Sequence, residues 1–559
     1  MNRWLFCLVV LSLVRVEGAD APDPSPTAAR RGAPDVSTPA AGARGQLLYG
    51  KNCFVCHQLN GQGTPGVYPP LARSDFLMSD AERSIRVLCE GLGGDIVVNG
   101  KKFRGVMPPV VLDDQEVVEV LNYVRTSWGN TGTAIMPEEV KSVRAKTRFP
   151  TLEILRQASG FPPLPKPPEG FSLREVVRLP GHGVRMASDG QGKVIYVLSD
   201  TGDVWRLEPA TAQLQQIFRA DRYLERRPGD LGGPLFVLGL ALDKSNRLYV
   251  ASNQQNDATL PVQNIVTIYR TVDSVENSPA ELKPWWQTSY PGNAAYVHAV
   301  ENIAFGPDGL LYVGNGARTD GGESGHDPRY YAGGETPVTS CMWRLDPAAE
   351  KPTIEIFARG IRNAYGFCWN DKGEMFATEN GPDADAPEEL NFVERGKHYG
   401  FPYTFSNWTR KAYAHTPDPP QELEFTLPIA NLGPAGGFDG KPIYTFDPHS
   451  GPDGIAFLGN EFPEGYRGTF LVARFGNFIK TPKDNVGFDL LRVKLQKDDA
   501  GKYAARVETV LAPLGRPIDV HVSGPGRVYI CEYSRGTNSA TSFALPGRIL
   551  ELAVNPVPK

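Results

Sequence analysis

The chain has 559 residues, of which 22% are charged and 41% hydrophobic, and its formal net charge is −5 at pH 7. That length predicts two or more domains, and the 59 glycines and 49 prolines favour a turn-rich β protein over a helical bundle. The slightly acidic balance gives no electrostatic reason to expect nucleic acid or an anionic membrane as a partner.

The first segments predicted along the chain are an export signal and a tether. Arg3 precedes the apolar run 4–14, and small residues follow near Gly18. This pattern over residues 1–18 is typical of a secretory signal peptide and is too short for a stable membrane anchor. Residues 19–43 are rich in Ala, Pro, Ser and Asp and predict a disordered linker. We therefore expect an exported protein, periplasmic or extracellular, with no integral membrane segment after cleavage.

A haem-attachment motif follows in a compact segment, residues 44–130. Cys53, Cys56 and His57 have the spacing in which two thiols bond to haem c and the histidine coordinates its iron. A disulfide or half a zinc site is the alternative, but it needs further cysteine or histidine ligands, of which this segment offers one. Met107 is followed by two prolines that would stiffen its loop. This predicts a thioether as the second iron ligand.

Helices are predicted on both sides of this motif. Residues 44–52 lead into it, and Asp113 with Glu116 can form the capping box of a closing helix. The apolar residues predicted to share one face of that helix are Val117, Val120, Leu121, Val124 and Trp128. With its CFVCH, YPPLA and GVMPP segments, the whole of residues 44–130 resembles the small class I cytochromes c, which implies a small all-α domain.

After a predicted linker at residues 131–170, the remainder, 171–559, carries a loose internal repeat. Each copy has a short apolar strand, a Gly/Asp/Asn turn and a second strand, and a partner strand follows most copies. Six such hairpins predict a six-bladed β-propeller with long insertions, whereas a β-sandwich would not explain six similar units. The copies are Met186–Ser199, Leu240–Ser252, Ile303–Asn315, Phe367–Glu379, Ile455–Ala473 and Val520–Glu532. The predicted fold is therefore mainly β, a six-bladed propeller preceded by the cytochrome domain.

Two segments of the propeller, ARGIRNAYGF and GPDADAPEELN, resemble the glucose/sorbosone dehydrogenase family. Its members are six-bladed propellers that oxidise sugars with pyrroloquinoline quinone (PQQ). The resemblance runs patchily from about residue 238 to residue 532. It implies that His298 is a catalytic base, that Arg362 and Asn363 contact the quinone, and that Arg516 is a further cofactor-binding residue. Arg362 would also stabilise the charge that develops on the quinone during catalysis.

The same resemblance implies two calcium sites. Backbone oxygens of Gly381 and Pro382 would bind the calcium that also holds PQQ, and Glu389 and Tyr399 match ligands of a second, structural calcium. The carboxylates of the acidic run 383–389 are predicted to crowd around a cation, because like charges that close together would otherwise repel.

These assignments predict a dehydrogenase with a built-in electron acceptor. A base takes the proton of a sugar or alcohol hydroxyl as hydride moves to the quinone, and the haem then passes electrons to a downstream acceptor. One alternative is a propeller that has lost PQQ and serves as a scaffold. Another is a metal-dependent, lactonase-like hydrolase, which the haem argues against because hydrolysis moves no electrons.

Where the family has a cofactor-binding lysine, this chain offers only Arg474.

Overall fold

The structure is a computed structural model. The residues that it describes are 41–58, 60–63, 68–107, 110, 112–146, 164–226, 230–276, 280–292, 298–322, 334–406, 411–436, 444–477, 486–535 and 546–556. The predicted signal segment 1–18, nearly all of the predicted linker 19–43 and the two prolines after Met107 lie outside these residues.

Helices dominate the first part of the described chain. The helix that closes it begins as predicted, since the Asp113 side chain accepts a hydrogen bond from Glu116 N at 2.8 Å and the Glu116 side chain accepts one from Asp113 N at 2.9 Å. The elements are α1 (Ala41–Asn52), α2 (Phe54–His57), α3 (Asp75–Met78), α4 (Ala81–Glu90), β1 (Leu92–Val98), β2 (Lys101–Met107), α5 (Asp114–Thr126) and α6 (Pro137–Lys146).

The hairpin β1–β2 is a departure from the expected all-α domain. Asn99 and Gly100 link its strands with φ angles of 50° and 75°. Positive φ at both positions is the conformation of a type I′ turn, for which Asn-Gly is the preferred pair. The antiparallel register pairs Leu92 with Met107. The hairpin therefore carries the predicted iron ligand Met107 at its open end.

The core of this helical part includes the predicted face of α5. Val117, Val120, Leu121 and Val124 are all buried, as an amphipathic helix requires. Trp128 was wrongly assigned to that helical face. It lies beyond the end of α5 with a φ of 53°, and its ring packs 4.8 Å from that of the buried Tyr49.

Helix α6 also belongs to this core, although its residues were predicted to be linker. Val140 and Val143 are buried against the other helices, and Arg144 pairs with Asp114 of α5 at 2.5 Å. The helical domain therefore extends past residue 130 to the end of α6.

The rest of the described chain forms six sheets arranged as the blades of a propeller, and all but one of their strand pairs are antiparallel. The first sheet is β4 (Gly183–Ala187), β5 (Ile195–Ser199), β6 (Val204–Glu208) and β7 (Gln213–Phe218). The second is β8 (Gly232–Leu242), β9 (Leu248–Asn256), β10 (Gln263–Thr271) and β11 (Leu282–Pro291). The third is β12 (Val300–Phe305), β13 (Leu311–Asn315), β14 (Cys341–Leu345) and β15 (Glu355–Arg359). A short helix, α7 (Ala220–Tyr223), follows β7.

The other three sheets vary in strand number. The fourth is β16 (Gly366–Trp369), β17 (Met375–Glu379) and β18 (Glu389–Val393). The fifth is β20 (Pro452–Leu458), β21 (Thr469–Arg474), β22 (Asp489–Lys497) and β23 (Tyr503–Leu511), with β19 (Ala430–Pro434) added parallel to β23. The sixth is β24 (Arg516–Val522), β25 (Arg527–Ser534) and β26 (Arg548–Val554), completed by β3 (Phe171–Arg178).

The six predicted hairpins are the first two strands of the six sheets, so the repeat is confirmed. The first strands contact one another in a closed ring, β4, β8, β12, β16, β20 and β24. They surround a central cavity of about 360 Å³. Pairing of β3 with β26 joins the start of the propeller to its last sheet, which protects sheet edges that would otherwise be open.

Ring closure also decides where the candidate site lies. His298 precedes β12, Arg362 and Asn363 precede β16, and Arg516 begins β24. All of these first strands run in the same direction within their sheets, so their starting ends meet at one end of the ring.

Among the described residues, no helix has the length and the apolar character needed to cross a membrane.

Candidate functional site

The helical domain brings together three of the predicted haem residues. His57, at the end of α2, is 7% exposed, and its Nδ1 lies 2.9 Å from the carbonyl oxygen of Pro69. Because a carbonyl only accepts, Nδ1 carries the proton and Nε2 keeps its lone pair. Burial also lowers the pKa of His57, which favours the neutral imidazole. This is the state in which a histidine binds haem iron.

A cavity beside His57 is lined by Cys53 on one side and by Met107 from the hairpin on another. Its remaining wall is mainly apolar and includes Leu71, Phe76, Leu88, Ile96, Val120 and Leu121. Cys56 lies next to His57 on α2, and none of the six described cysteines forms a disulfide. A thiol, an imidazole and a thioether around an apolar cavity fit a covalently attached haem.

In the propeller, His298 contacts two side chains. Its Nδ1 lies 3.3 Å from Oε1 of Glu301. Asn363, oriented so that both of its neighbours are satisfied, places its Oδ1 3.1 Å from the same nitrogen and donates from Nδ2 to Glu301. Nδ1 therefore carries the proton, and Nε2 is left as a proton acceptor. Gly316 permits this approach, because a β-carbon there would lie 2.4 Å from Cβ of His298.

Arg362 is held on the same end of the ring by acidic and carbonyl groups. Its NH2 donates to Oδ1 of Asp320 at 2.6 Å, and its NH1 donates to the carbonyl of Asn380 at 3.0 Å. The hydroxyl of Tyr413 donates to the other carboxylate oxygen of Asp320. Arg362 is only 2% exposed, so these contacts fix the direction in which its guanidinium points.

Arg516 joins this group through a shared acidic neighbour. Its guanidinium contacts the rings of Phe475 and Phe488, 4.8 and 4.9 Å from their centroids. Burial lowers its pKa to about 9, although the charge of Asp453 acts in the opposite direction. Asp453 in turn accepts a hydrogen bond from Asn380 Nδ2 at 2.9 Å, which connects Arg516 to the surroundings of Arg362.

Arg474 is a poor substitute for a cofactor-binding lysine. Its guanidinium donates to both carboxylate oxygens of Asp489, at 2.8 and 2.6 Å, and to Asp447 at 3.1 Å. Two carboxylates, one on β22 and one before β20, already neutralise its charge. Of the arginines that sequence comparison suggested for cofactor binding, Arg362 and Arg516 are the better candidates.

The predicted crowding of the acidic run 383–389 around one cation is wrong. Asp385 pairs with His449 at 2.8 Å, and Glu388 accepts from Ser450 Oγ at 2.9 Å and from Gly451 N at 2.8 Å. Among the described residues, no group of three or more acidic, histidine or cysteine side chains is arranged to hold a metal. These carboxylates point to different parts of the fold because they belong to a turn and to the start of a strand.

Glu389 instead meets Glu379, which sequence reasoning did not select. Both side chains are fully buried, and Asn391 Nδ2 donates to Glu379 at 2.8 Å and to Glu389 at 3.1 Å. Burial, together with the neighbouring Glu389, raises the pKa of Glu379, and burial raises that of Glu389 to about 7. Two carboxylates this close need a proton or a cation between them.

The atoms around this carboxylate pair suit a hard cation. Oδ1 of Asn391 and Oγ of Ser406 are buried beside it without a hydrogen-bond partner in the structure. With the two carboxylates they make an all-oxygen set, the kind that Ca²⁺ binds. The hydroxyl of Tyr399 does not belong to the set, because it donates to Phe392 O at 2.6 Å and accepts from Glu394 N at 2.8 Å. Any contribution of Tyr399 would come from its backbone.

Gly381 and Pro382, the predicted backbone ligands of the other calcium, directly follow Asn380. Gly381 packs closely against Phe405, whose Cε1 would lie 2.7 Å from a β-carbon added at 381, and Pro382 is buried. The two residues therefore lie beside Arg362 and are part of the same end of the ring.

Several residues of this site carry no sequence signal. Asp320 contacts Arg362 across 42 positions and Tyr413 across 93 positions of sequence. Glu301 is the exception, because a carboxylate three residues after His298 could have been recognised as a partner for it. The others become neighbours only in the folded chain.

Comparison with known proteins matches each of the two parts of the chain to a family model. Residues 236–539 match the family model described as Glucose / Sorbosone dehydrogenase, and residues 42–128 match the one described as Cytochrome c. Cytochrome c-552 of Thermus thermophilus is 42% identical over 118 residues, which cover 19% of this chain and 89% of that protein.

Two sugar dehydrogenases are similar at lower sequence identity. Quinoprotein glucose dehydrogenase B of Acinetobacter calcoaceticus is 22% identical over 242 residues, 38% of this chain and 49% of that enzyme; this chain thus spans about half of its length. The PQQ-bound form of aldose sugar dehydrogenase from Streptomyces coelicolor is 20% identical with a TM-score of 0.46, covering 70% of this chain and 100% of that one. Because the first family model covers more than half of the 559 residues, the chain belongs to the glucose/sorbosone dehydrogenase family of oxidoreductases, and a cytochrome c domain precedes its propeller.

Proposed function

We propose that the propeller oxidises a sugar or a related alcohol or aldehyde with PQQ and Ca²⁺, and that the electrons pass to haem c in the cytochrome domain. The observation that carries this proposal is the contact of His298 with Asn363 and Glu301 at the end of the ring that also holds Arg362. Membership of the glucose/sorbosone dehydrogenase family supports the reaction class.

His298 is the proposed general base. Its Nδ1 proton is directed to Asn363, so the ring is held in one orientation and Nε2 accepts the proton of a substrate hydroxyl. The side chain is 25% exposed, which leaves it within reach of a substrate. A positioned base of this kind typically contributes on the order of 10²–10⁴ in rate.

The arginines and the turn at Gly381 are the proposed cofactor-binding elements. When bound, PQQ would supply the hydride acceptor, and Ca²⁺ would supply a Lewis acid that polarises it. Arg362 and Asn363 would bind the quinone, and the buried cation of Arg516 suits one of its carboxylates. Backbone oxygens of Gly381 and Pro382 would bind the associated calcium.

The second calcium is proposed to lie between Glu379 and Glu389. The buried oxygens of Asn391 and Ser406 complete a set that needs no further charged ligand. Because this pair of carboxylates joins β17 to β18, a cation there would stabilise the fourth sheet, and with it the turn that holds Gly381.

The haem is proposed to be coordinated by His57 and Met107. An acceptor on the same chain works at a high effective concentration and replaces a diffusing partner for this step. Electrons would then leave to a downstream acceptor. The segment at residues 1–18 supports export to the periplasm or the exterior of the cell.

The test is sugar-driven reduction of the haem in the full-length protein supplied with PQQ and Ca²⁺, followed by visible absorbance. A soluble dye acceptor, measured in parallel, separates propeller chemistry from transfer to the haem. We expect one or more aldoses or alcohols to reduce both acceptors.

His298→Gln should lower both rates on the order of 10²–10⁴-fold while PQQ binding and the haem potential stay nearly unchanged. His521→Gln is the matched control, because His521 lies near the opposite end of the inner strand β24 from Arg516. If no aldose or alcohol reduces either acceptor in the wild type, the proposal fails and a scaffold becomes the better interpretation.

A further inference from the structure

A single buried arginine, Arg185, crosses the centre of the propeller. It belongs to β4, the inner strand of the first sheet, and its side chain is 3% exposed. Its guanidinium contacts the second, third and sixth sheets at Leu238, Glu301 and Asp519, respectively. It also contacts Tyr365, the residue just before the fourth sheet of the ring. No feature of the sequence had suggested a role for this residue.

Two of these contacts are to the segments that carry His298 and the Arg362–Asn363 pair. NH2 of Arg185 donates to the carbonyl oxygens of Glu301 and Tyr365, each at 3.0 Å. Glu301 is three residues after His298, and the backbone of Tyr365 donates to Asn363 O at 3.0 Å. NH2 of Arg185 thus links the chain segment that carries His298 to the segment that carries Asn363.

The third contact is to the segment that carries Arg516. NH1 of Arg185 lies 3.3 Å from Oδ1 of Asp519, and the other oxygen of Asp519 accepts from Met186 N at 2.7 Å. Asp519 is three residues after Arg516 on β24. The ion pair therefore ties the first inner strand to the last one.

The geometry of the guanidinium is what makes this possible. Its planar nitrogens donate in several fixed directions, whereas a lysine ammonium is a compact point charge on a flexible stem. The group also lies over the ring of Tyr365, 4.6 Å from its centroid, which adds a cation–π contact. Burial of the charge is tolerated because Asp519 compensates it.

We propose that Arg185 is a positioning residue for the active site: it holds the three segments that carry His298, the Arg362–Asn363 pair and Arg516 in register across the ring. The catalytic meaning of this role rests on the proposed dehydrogenase function. The coupling of the three segments does not depend on the proposed function, and it can be measured without substrate.

The first experiment is hydrogen exchange followed by mass spectrometry on the full-length protein, comparing wild type with Arg185→Met and Arg185→Lys. Loss of the shared anchor should speed exchange about tenfold or more in the peptides around 298–302, 362–366 and 516–520 together. Arg185→Lys should give a smaller change, because it keeps the charge beside Asp519 but cannot bond both carbonyls in the same geometry.

Arg344→Met is the matched control. Arg344 has a side chain only 13% exposed and pairs with Glu355 at 2.6 Å. Its partners among the described residues lie on strands of the third sheet or, in the case of Asp308, in the turn between β12 and β13. It should lower stability without affecting the three segments as a group.

The second experiment measures kcat and KM for sugar-driven reduction of a dye, per folded molecule. A misplacement of about 1 Å can cost about 10²-fold in rate, so kcat of Arg185→Met should fall by that order, with partial recovery in Arg185→Lys. If the wild type oxidises no sugar, the dehydrogenase proposal fails while the exchange experiment still decides the coupling.

Exchange that rises in only one segment, or equally across all six sheets, would overturn the positioning role. So would an unchanged kcat per folded molecule in an active wild-type background. If Arg185→Met does not fold, the same comparison of the three segments is made on Arg185→Lys alone.

Discussion

The carboxylate of Glu301 lies 3.3 Å from Nδ1 of His298, and the amide of Asn363 bridges the two side chains. A carboxylate in this place holds the imidazole in the tautomer that leaves Nε2 free, and it stabilises the imidazolium formed after proton transfer. We expect Glu301→Gln to slow sugar-driven dye reduction, but by less than the ~10²–10⁴-fold expected for loss of the base itself. Steady-state rates with the dye acceptor measure this effect, with the melting temperature of the propeller as a control for folding. A rate equal to wild type would mean that Asn363 alone orients His298.

Met107 is expected to be the second iron ligand. It lies at the end of a hairpin whose turn, Asn99-Gly100, holds the strands in register. Met107→Ala should abolish the iron–sulfur charge-transfer band of the oxidised protein and lower the midpoint potential, because a thioether ligand raises the haem potential. Val106, its neighbour on the strand, supplies a control as Val106→Ala, which should leave the band in place. An unchanged spectrum in Met107→Ala would identify another residue as the ligand.

Calcium should stabilise the propeller through Glu379 and Glu389. A ligand that binds only the folded state at 100 times its dissociation constant contributes about 2.7 kcal/mol. A chelator should therefore lower the melting temperature of the propeller and leave the haem spectrum intact. Glu389→Gln should abolish this sensitivity, whereas Glu394→Gln, on the turn after β18, should keep it. Carefully purified protein that contains no calcium and binds none would contradict the assignment.

Because of His521, we expect the stability of the folded protein to depend on pH, independently of the active site. Burial lowers its pKa from 6.5 to about 4 in the folded chain, and its Nε2 lies 2.7 Å from Oγ of Ser188. Since the folded state binds this proton more weakly, the contribution of His521 to stability is present above pH 6.5 and is lost as the pH falls toward 4. The loss is at most about 3 kcal/mol.

Thermal melts of wild type and His521→Gln between pH 8 and pH 4 measure this effect. The wild type should lose stability more steeply than the variant below pH 6.5, because glutamine does not titrate. Parallel curves across the whole range would show that the imidazole is accessible to protons in the folded protein.

Elements that depend on residues close together in the chain could be predicted from the sequence alone. The spacing of Cys53, Cys56 and His57 is set by the haem chemistry itself, and the capping box at Asp113 needs only residues three positions apart. The Asn99-Gly100 hairpin had an equally local signal, which the expectation of an all-α domain obscured. The assignment of Trp128 to the helical face is wrong because helical periodicity does not reveal that α5 ends at Thr126 and that Trp128, two residues later, has a positive φ.

The sequence by itself determined the six hairpins, the motif that binds haem and the family of the propeller, because each depends on residues close together in the chain. Only the tertiary structure decided which side chains meet at the centre. Arg185 contacts Asp519 across 334 positions of sequence, and Asp320 contacts Arg362 across 42. The acidic run 383–389 is divided because most of it lies in a turn and only its end enters β18. Glu389 meets Glu379 because the two residues are opposite each other in the antiparallel register of β17 and β18.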